Sequence, residues 1–228
     1  MFHKYCYNMK ACVIALTIFF CGTACFAQDS FPSPVRDSGN EPMLQGKFEP
    51  TWPSLSQYQV PEWFRNAKFG IWAHWGPQCE PGQGDWYARF MYVQGSSQYK
   101  WQVDHYGHPS KAGFKEVVNS WKAAHWDPEK LVALYKRAGA QYFFAMANHH
   151  DNVDMWNSKY QQWNTVNAGP HKDILAGWAK AAKNNNLPFG LSVHAAHAWL
   201  WNEVAQHADT SGPYAGVPYD GKLKNEDG

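Results

Sequence analysis

Three short apolar runs constrain this chain more than any other feature of its sequence. Lys68–Ala73 (KFGIWA), Tyr142–Ala147 (YFFAMA) and Pro188–Val193 (PFGLSV) are continuously apolar after their first residues. A strand with one wet face alternates apolar and polar residues, whereas a continuous run fits a strand buried on both faces of a parallel sheet. Each run ends in histidine: His74-Trp75-Gly76, then Asn148-His149-His150-Asp151, then His194-Ala195-Ala196-His197.

Helical patterns separate the runs. Asp127-Pro128-Glu129 offers an N-cap, a first-turn proline and a first-turn acid, followed by Leu131, Leu134, Tyr135 and Ala138 at helical spacing and a stop at Gly139. Asp173 caps a second pattern carrying Leu175, Trp178, Ala179 and Ala182 on one face, closed by Asn184–Asn186. Helix followed by strand, twice over, is the arithmetic of an α/β fold. The expected architecture is a (β/α)8 TIM barrel, here as its first three or so βα units, since a complete barrel takes about 250 residues. An open three-stranded doubly wound sheet is the alternative, and it would leave large apolar faces poorly covered. The segment 74–114 reads as an insertion after the first strand, and the chain ends in a polar stretch, Asp220-Gly221-Lys222 to Asn225-Glu226-Asp227-Gly228, with no terminating element.

Residues 1–27 read as a secretory signal: Lys4 and Lys10 supply a positive end, Ala11–Cys21 an apolar run, and Ala27 a small residue at the cleavage point. The run is too short to span a bilayer, which takes about 20 residues. Met9 is as good a start as Met1, and lipidation at Cys25 is a second reading in which Gly22-Thr23-Ala24 lacks the usual leucine. Removal of this segment takes Cys6, Cys12, Cys21 and Cys25 with it and leaves Cys79, so no internal disulfide can form. Residues 28–57, rich in Ser, Pro, Gly and Gln, read as an extended lead-in, and 58–228 as the N-terminal portion of a barrel domain. The expected location is exported, periplasmic or extracellular.

A formal charge of +1 points to neither nucleic acid nor an anionic membrane surface, and a mean hydropathy of −0.57 excludes a polytopic membrane protein. The chain nevertheless holds 13 tryptophans, all of them after residue 27, which asks whether they pack or present a platform. Trp121, Trp126 and Trp178 fall in or beside helices and read as packing. Trp72, Trp75, Trp86, Trp156 and Trp199 fall at or after strand ends. In a barrel those ends form one rim, where active sites are built, so His74, His149, His150, His194 and His197 converge there. His105, His108, His125, His171 and His207 have no such placement. Two chemistries use a rim of imidazoles. One is a metal site, although zinc spacings such as H-E-x-x-H are absent. The other is carbohydrate recognition, because a neutral imidazole has one donor and one acceptor nitrogen to match a hydroxyl and an indole stacks on the apolar side of a pyranose. Asp151 either orients an imidazole or caps the turn that follows.

The run Trp63-Phe64-Arg65-Asn66-Ala67-Lys68-Phe69-Gly70-Ile71-Trp72-Ala73-His74-Trp75-Gly76 resembles the opening strand of the family 29 glycoside hydrolases, the α-L-fucosidases. The likeness continues through Asp85-Trp86-Tyr87, Met91-Tyr92, Tyr106-Gly107, Trp126-Asp127-Pro128 and Ala138-Gly139-Ala140-Gln141-Tyr142. It resumes at His149-His150-Asp151, Asn164-Thr165-Val166, Gly169-Pro170-His171-Lys172-Asp173 and Phe189-Gly190-Leu191, in colinear order over roughly 60–205. The resemblance implies a retaining exo-glycosidase that removes α-linked L-fucose from glycans, with no cofactor and no metal. It implies that His74, His149 and His150 contact fucose hydroxyls and that Trp86 lines the pocket. Asp85 stands where the family usually has a sugar-binding glutamate, one methylene longer. Ser192-Val193-His194 stands where the family often has a tyrosine pair and a serine, which gives His194 the tyrosine's role.

Retaining glycosidases need two carboxylates about 5–5.5 Å apart. The resemblance puts the nucleophilic aspartate at the end of the fourth strand and the acid/base further on, both expected downstream of Gly228. Asp220, in a D-G turn with no apolar strand before it, does not fit the nucleophile. The expected partner is therefore a fucosylated glycan or glycoconjugate, with no nucleic acid and no membrane span. A non-catalytic fucose-binding protein and a metal-dependent TIM-barrel hydrolase are the competing readings.

Overall fold

The three apolar runs form a parallel sheet in the order β1 (Ile71–Ala73), β2 (Phe143–Asn148), β3 (Phe189–Val193). The computed structural model describes residues 46–194 and 198–220, with the side chains of Ala198 and Trp199 outside that description. The signal segment 1–27 with Cys25 and Met9, most of the lead-in, His197 and the tail 221–228 lie outside the described residues. No described helix is long and apolar enough to cross a membrane.

Register decides what the sheet presents. Ile71, Phe143 and Phe189 share one row, and Ala73, Ala145 and Leu191 another. Between Met146 and Asn148 the pairing of β2 with β3 shifts, so that Asn148 pairs with Val193 and the Asn148 carbonyl accepts the His194 N–H at 3.0 Å. The extra residue in β2 brings the first residues beyond β2 and β3, His149 and His194, to the same level. Trp72, Phe144 and Gly190 form the row that points to the opposite face. A Cβ on Gly190 would meet the Phe144 ring at 2.3 Å, so only glycine lets that ring lie across β3.

Helix α6 (Pro128–Arg137) begins at the Asp127 cap, whose carboxylate accepts the Lys130 N–H at 3.1 Å, and gives way at Gly139, where φ is +100°. Helix α7 (Ile174–Asn184) begins the same way at Asp173, which accepts from Ala176 at 2.7 Å. Together they cover one face of the sheet, burying Val132, Phe143, Ala145, Ile174, Trp178, Ala181 and Ala182. Each large side chain buried there contributes about 1.5–3 kcal/mol. Trp75 belongs to this core: its ring lies 4.9 Å from Trp121, 5.9 Å from Trp126 and 6.3 Å from Trp178. The sequence placed it on the rim, but the alternation of a strand sends His74 and Trp75 to opposite sides, and Trp75 takes the packing side.

The segment after β1 is not a plain loop. It holds α3 (Tyr87–Phe90), α4 (Ser97–His105) and α5 (Phe114–Ser120), preceded by α1 (Trp52–Leu55) and α2 (Glu62–Ala67) upstream of the sheet. The lead-in therefore contains a helical turn, at the proline of Trp52-Pro53. Residue β1 starts from is Ile71 rather than Lys68, because Lys68 closes α2 with φ at +59°. Ser96 caps α4 by accepting the Tyr99 N–H, and Glu116 reaches back to the Gly113 N–H at the start of α5. These helices make a second core, in which Tyr87, Met91, Val117 and Val118 pack with Trp201, from α8 (Ala198–Trp201), and with Tyr219.

Candidate functional site

Each strand delivers histidine one residue past its end, and a loop acid meets them. Asp85, just before α3, has Oδ1 2.7 Å from His74 Nε2 and 3.3 Å from His149 Nε2. The first contact is a hydrogen bond. The second is close but not aligned as one, and His149 Nε2 has no hydrogen-bond partner. The His74 and His149 rings meet edge to face at 5.0 Å, and His149 stacks on His194 at 5.3 Å with 29° between planes. His150 lies 4.9 Å from His149 and 5.5 Å from His194. Trp72 closes one side: it stacks on His194 at 5.7 Å and its indole N–H donates to Ser192 Oγ at 3.0 Å. Trp86, 46% exposed, presents its ring edge-on to His150 at 6.0 Å and stacks on Phe90.

His149 is 1% exposed, and neither of its ring nitrogens has a hydrogen-bond partner. Burial, reinforced by the neighbouring imidazoles of His74, His150 and His194 and opposed by Asp85, pushes its pKa down to about 4. Burial and the imidazoles of His74 and His150, opposed by Asp85, also lower His194. Burial works against the Asp85 carboxylate, yet the hydrogen bond from His74 and the nearness of His149 outweigh it, so Asp85 sits below the ordinary aspartate value. Asp151 is the reverse case: burial, opposed by the Val153 N–H and aided by Asp85, pushes it up to about 7. Its Oδ1 caps the following turn by accepting the Val153 N–H at 3.1 Å, and its Oδ2 has no partner.

A buried polar atom left unpaired costs about 1–3 kcal/mol. Here His74 Nδ1, both nitrogens of His149 and Asp151 Oδ2 are in that state just beyond the ends of β1 and β2. Such atoms are ordinarily met by water or by a ligand. A neutral imidazole both gives and accepts, Asp85 accepts, and Trp86 offers an exposed ring beside His150, which together match a polyhydroxylated ring with one apolar side. Two triads also bring one ligand atom from each member within 4.8 Å of the others: His149, His150 and His194, and His74, Asp85 and His149. The second triad already uses His74 Nε2 to bond Asp85.

All six residues singled out from the sequence, His74, Asp85, Trp86, His149, His150 and His194, come together here. Trp72 joins them from β1, whereas Trp121, Trp126 and Trp178 pack, as their helical setting predicts. Asp220 is elsewhere, its carboxylate crowding Gly113 and lying against Tyr92. Sequence reasoning missed Trp201, which stacks on His150 at 5.5 Å and meets His149 edge-on at 6.3 Å. No periodicity marks it, because it lies in a four-residue helix.

The family model described as Alpha-L-fucosidase matches residues 38–225. Tissue alpha-L-fucosidase of Rattus norvegicus is 31% identical over 156 residues, 67% of this chain and 33% of that protein. The human tissue enzyme is 31% identical over 68% of this chain and 33% of its own length. Alpha-L-fucosidase of Branchiostoma floridae is 33% identical over 65% of this chain and 34% of its own. The chain thus spans about one third of the length of the curated relatives it matches. Among solved structures, the alpha-fucosidase of Thermotoga maritima superimposes with a TM-score of 0.61 at 32% identity, covering 64% of this chain and 37% of that one, and it has also been solved in complex with fucose. These neighbours carry a TIM-barrel catalytic domain, of which the described sheet is a partial α/β fragment. The family model covers well over half of the chain, including all three strands and the histidines at their ends, and the chain belongs to the α-L-fucosidase family.

Proposed function

We propose that this chain supplies the fucose-binding half of the active site of an exported, retaining α-L-fucosidase acting on fucosylated glycans. The observation that carries the reading is the buried, unpartnered imidazole of His149, held among His74, His150 and His194 around one ionised aspartate. His149 is neutral at physiological pH, so its nitrogens serve one hydroxyl as donor and another as acceptor. His74 is oriented by Asp85, whose second oxygen is left to accept from the sugar. His194 does the work of the tyrosine found in many relatives. Trp86 packs against the apolar side of the ring.

Among the described residues, the two carboxylates at the rim are already committed to other roles. Asp85 is engaged with histidine and Asp151 is buried and capping a turn. Both catalytic groups belong, on this reading, to barrel strands beyond the third. Calorimetric titration of this chain with L-fucose tests the binding half, and an aryl α-L-fucoside tests the chemistry. Saturable binding without turnover is the expected result. Absence of binding overturns the site, and robust turnover by the 228-residue chain overturns the placement of the carboxylates.

A further inference from the structure

The side chain that ties the two halves of the rim together is Arg89, which neither motif nor periodicity marks. It lies in α3, three residues after Trp86, and its Nη1 donates to the Leu200 carbonyl at 3.1 Å and to the Trp201 carbonyl. One guanidinium thus clamps the end of α8, which follows β3, to the helix that follows β1. Arginine suits this task because its planar fork loses little freedom for each bond it forms.

What the clamp holds is an aromatic stack. Trp201 is 5% exposed although its neighbour Leu200 is 71% exposed, so burial at this point is specific to the indole. Its ring lies 26° from the plane of His150 at 5.5 Å. Trp86 faces the same imidazole edge-on at 6.0 Å and 84°. His150 therefore sits between two tryptophans, one parallel and one perpendicular, whose backbones Arg89 links. The Trp201 indole N–H is buried and has no hydrogen-bond partner. No polar bond of its own fixes that ring, so its orientation comes from packing and from the backbone that Arg89 holds.

We propose that Trp201, anchored by Arg89, is a positioning residue that sets the plane of the His150 imidazole and thereby the direction in which His150 meets a sugar hydroxyl. The inference rests on the fucose reading above for its consequence, but not for its geometry. An imidazole nitrogen bonds along the plane of its ring, so a ring free to rotate about its side-chain bonds spends part of its time pointing away from the hydroxyl. The indole restricts that rotation. Because the stack is the device, phenylalanine at 201 preserves it and alanine does not. Because the tether is on the backbone, loss of the guanidinium loosens the stack without removing any ring.

The test has two readouts on the full chain. The ring carbon–proton NMR signal of His150, assigned by its loss in His150→Gln, reports the ring current of Trp201 without any sugar. L-fucose affinity, measured by calorimetry, reports the consequence. In Trp201→Ala the His150 signal moves and fucose binds about 3- to 10-fold more weakly, the range expected for one aromatic contact. Trp201→Phe restores affinity to within about 2-fold of wild type, and Arg89→Met falls between the two. An unmoved His150 signal in both Trp201→Ala and Arg89→Met overturns the proposal, as does unchanged fucose affinity in both. If Trp201→Ala does not fold, Arg89→Met and Trp201→Phe decide alone. A wild-type chain that binds no fucose overturns the sugar reading instead, and the His150 signal still shows whether Trp201 sets the ring.

Discussion

The described residues contain two histidine–aspartate centres that are built alike and finished differently. In one, Asp209 faces His108: the Nε2 to Oδ2 distance is 3.0 Å, and both residues are 5% exposed. Every polar atom there is met. His108 Nδ1 accepts the Ser110 N–H at 3.1 Å and bonds Ser110 Oγ at 2.7 Å, so the proton sits on Nε2 and points at Asp209. Asp209 also accepts from Tyr99 and Tyr219 at 2.6 and 2.5 Å. In the other centre, Asp85 faces His74 and His149, and three of the four nitrogens on those rings reach no hydrogen-bond partner. The satisfied centre staples the 207–220 segment to the region around α4. The unsatisfied one leaves polar atoms that no described residue meets, and these are the atoms the proposed fucose site uses. Buried polar groups are costly unless paired, so the difference separates a structural centre from a binding centre more sharply than residue type does.

Breaking the satisfied centre should give the largest effect. Asp209→Ala leaves two tyrosine hydroxyls and an imidazole without their shared acceptor, and removal of one partner from a buried pair costs about 3–5 kcal/mol. Chemical denaturation should show that loss while any L-fucose affinity of the folded fraction is retained. Burial alone would raise the Asp209 pKa, but hydrogen bonds from Tyr219, Tyr99 and His108 outweigh it and lower the value. A depressed carboxylate contributes stability above its unfolded pKa, near 3.9, and loses it as the pH falls through the folded value. The variant should therefore lose the acid limb of the stability curve as well.

The binding centre carries two opposed titrations, and single substitutions should separate them. Asp151 is raised to about 7, so its proton stays on in the folded state while the unfolded chain gives it up near pH 3.9. Its contribution is full below about pH 3.9 and is lost as the pH rises towards 7, with a slope of up to about 1.4 kcal/mol per pH unit. His149 is lowered to about 4, so its contribution is full above about pH 6.5 and is lost as the pH falls towards 4. In the wild type the two slopes oppose each other between pH 4 and 6.5. Asp151→Asn should make stability rise with pH across that window, and His149→Gln should make it fall. Parallel curves for the two variants would show that the pair does not titrate as assigned.

On the ligand side, His149→Ala should weaken L-fucose binding by about 10- to 100-fold, the cost of one or two lost hydrogen bonds in a dry site. His108→Ala should leave the affinity of folded protein unchanged, since nothing in its centre is left to offer. Equal losses in the two variants would erase the distinction between the centres.

Much of the binding centre was legible in the sequence because strands place their ends by simple rules. A continuous apolar run stops where polarity begins, and in a parallel sheet all such stops lie on one side, so His74, His149, His150 and His194 could be grouped without coordinates. The two capped helices were equally plain, as Asp127 and Asp173 precede clear helical spacing. The satisfied centre was invisible for the opposite reason: His108 and Asp209 are 101 residues apart, in segments without periodicity, and only the packing of α4 and α5 on the chain after β3 brings them together. Trp75 was misplaced because a residue beyond a strand end can still follow the strand's alternation. Trp201 was missed because nothing in a four-residue helix marks which side chain turns inward.

The smallest expected effect bears on why the satisfied centre is so well satisfied. Ser110→Ala removes the hydroxyl 2.7 Å from His108 Nδ1 but leaves the Ser110 backbone N–H, which already donates to the same nitrogen at 3.1 Å. The lone pair stays occupied, the proton stays on Nε2, and the bond to Asp209 is kept. The loss should be no more than one ordinary hydrogen bond, about 0.5–1 kcal/mol by denaturation. At the binding centre no such reserve is found among the described residues: His74 Nε2 bonds Asp85, with no second donor or acceptor among them behind it. Redundancy holds a ring in one state, whereas a single partner leaves the rest of the ring's bonding capacity to a ligand. A loss of 3 kcal/mol or more in Ser110→Ala would show that the serine hydroxyl, and not the backbone, holds His108 in place.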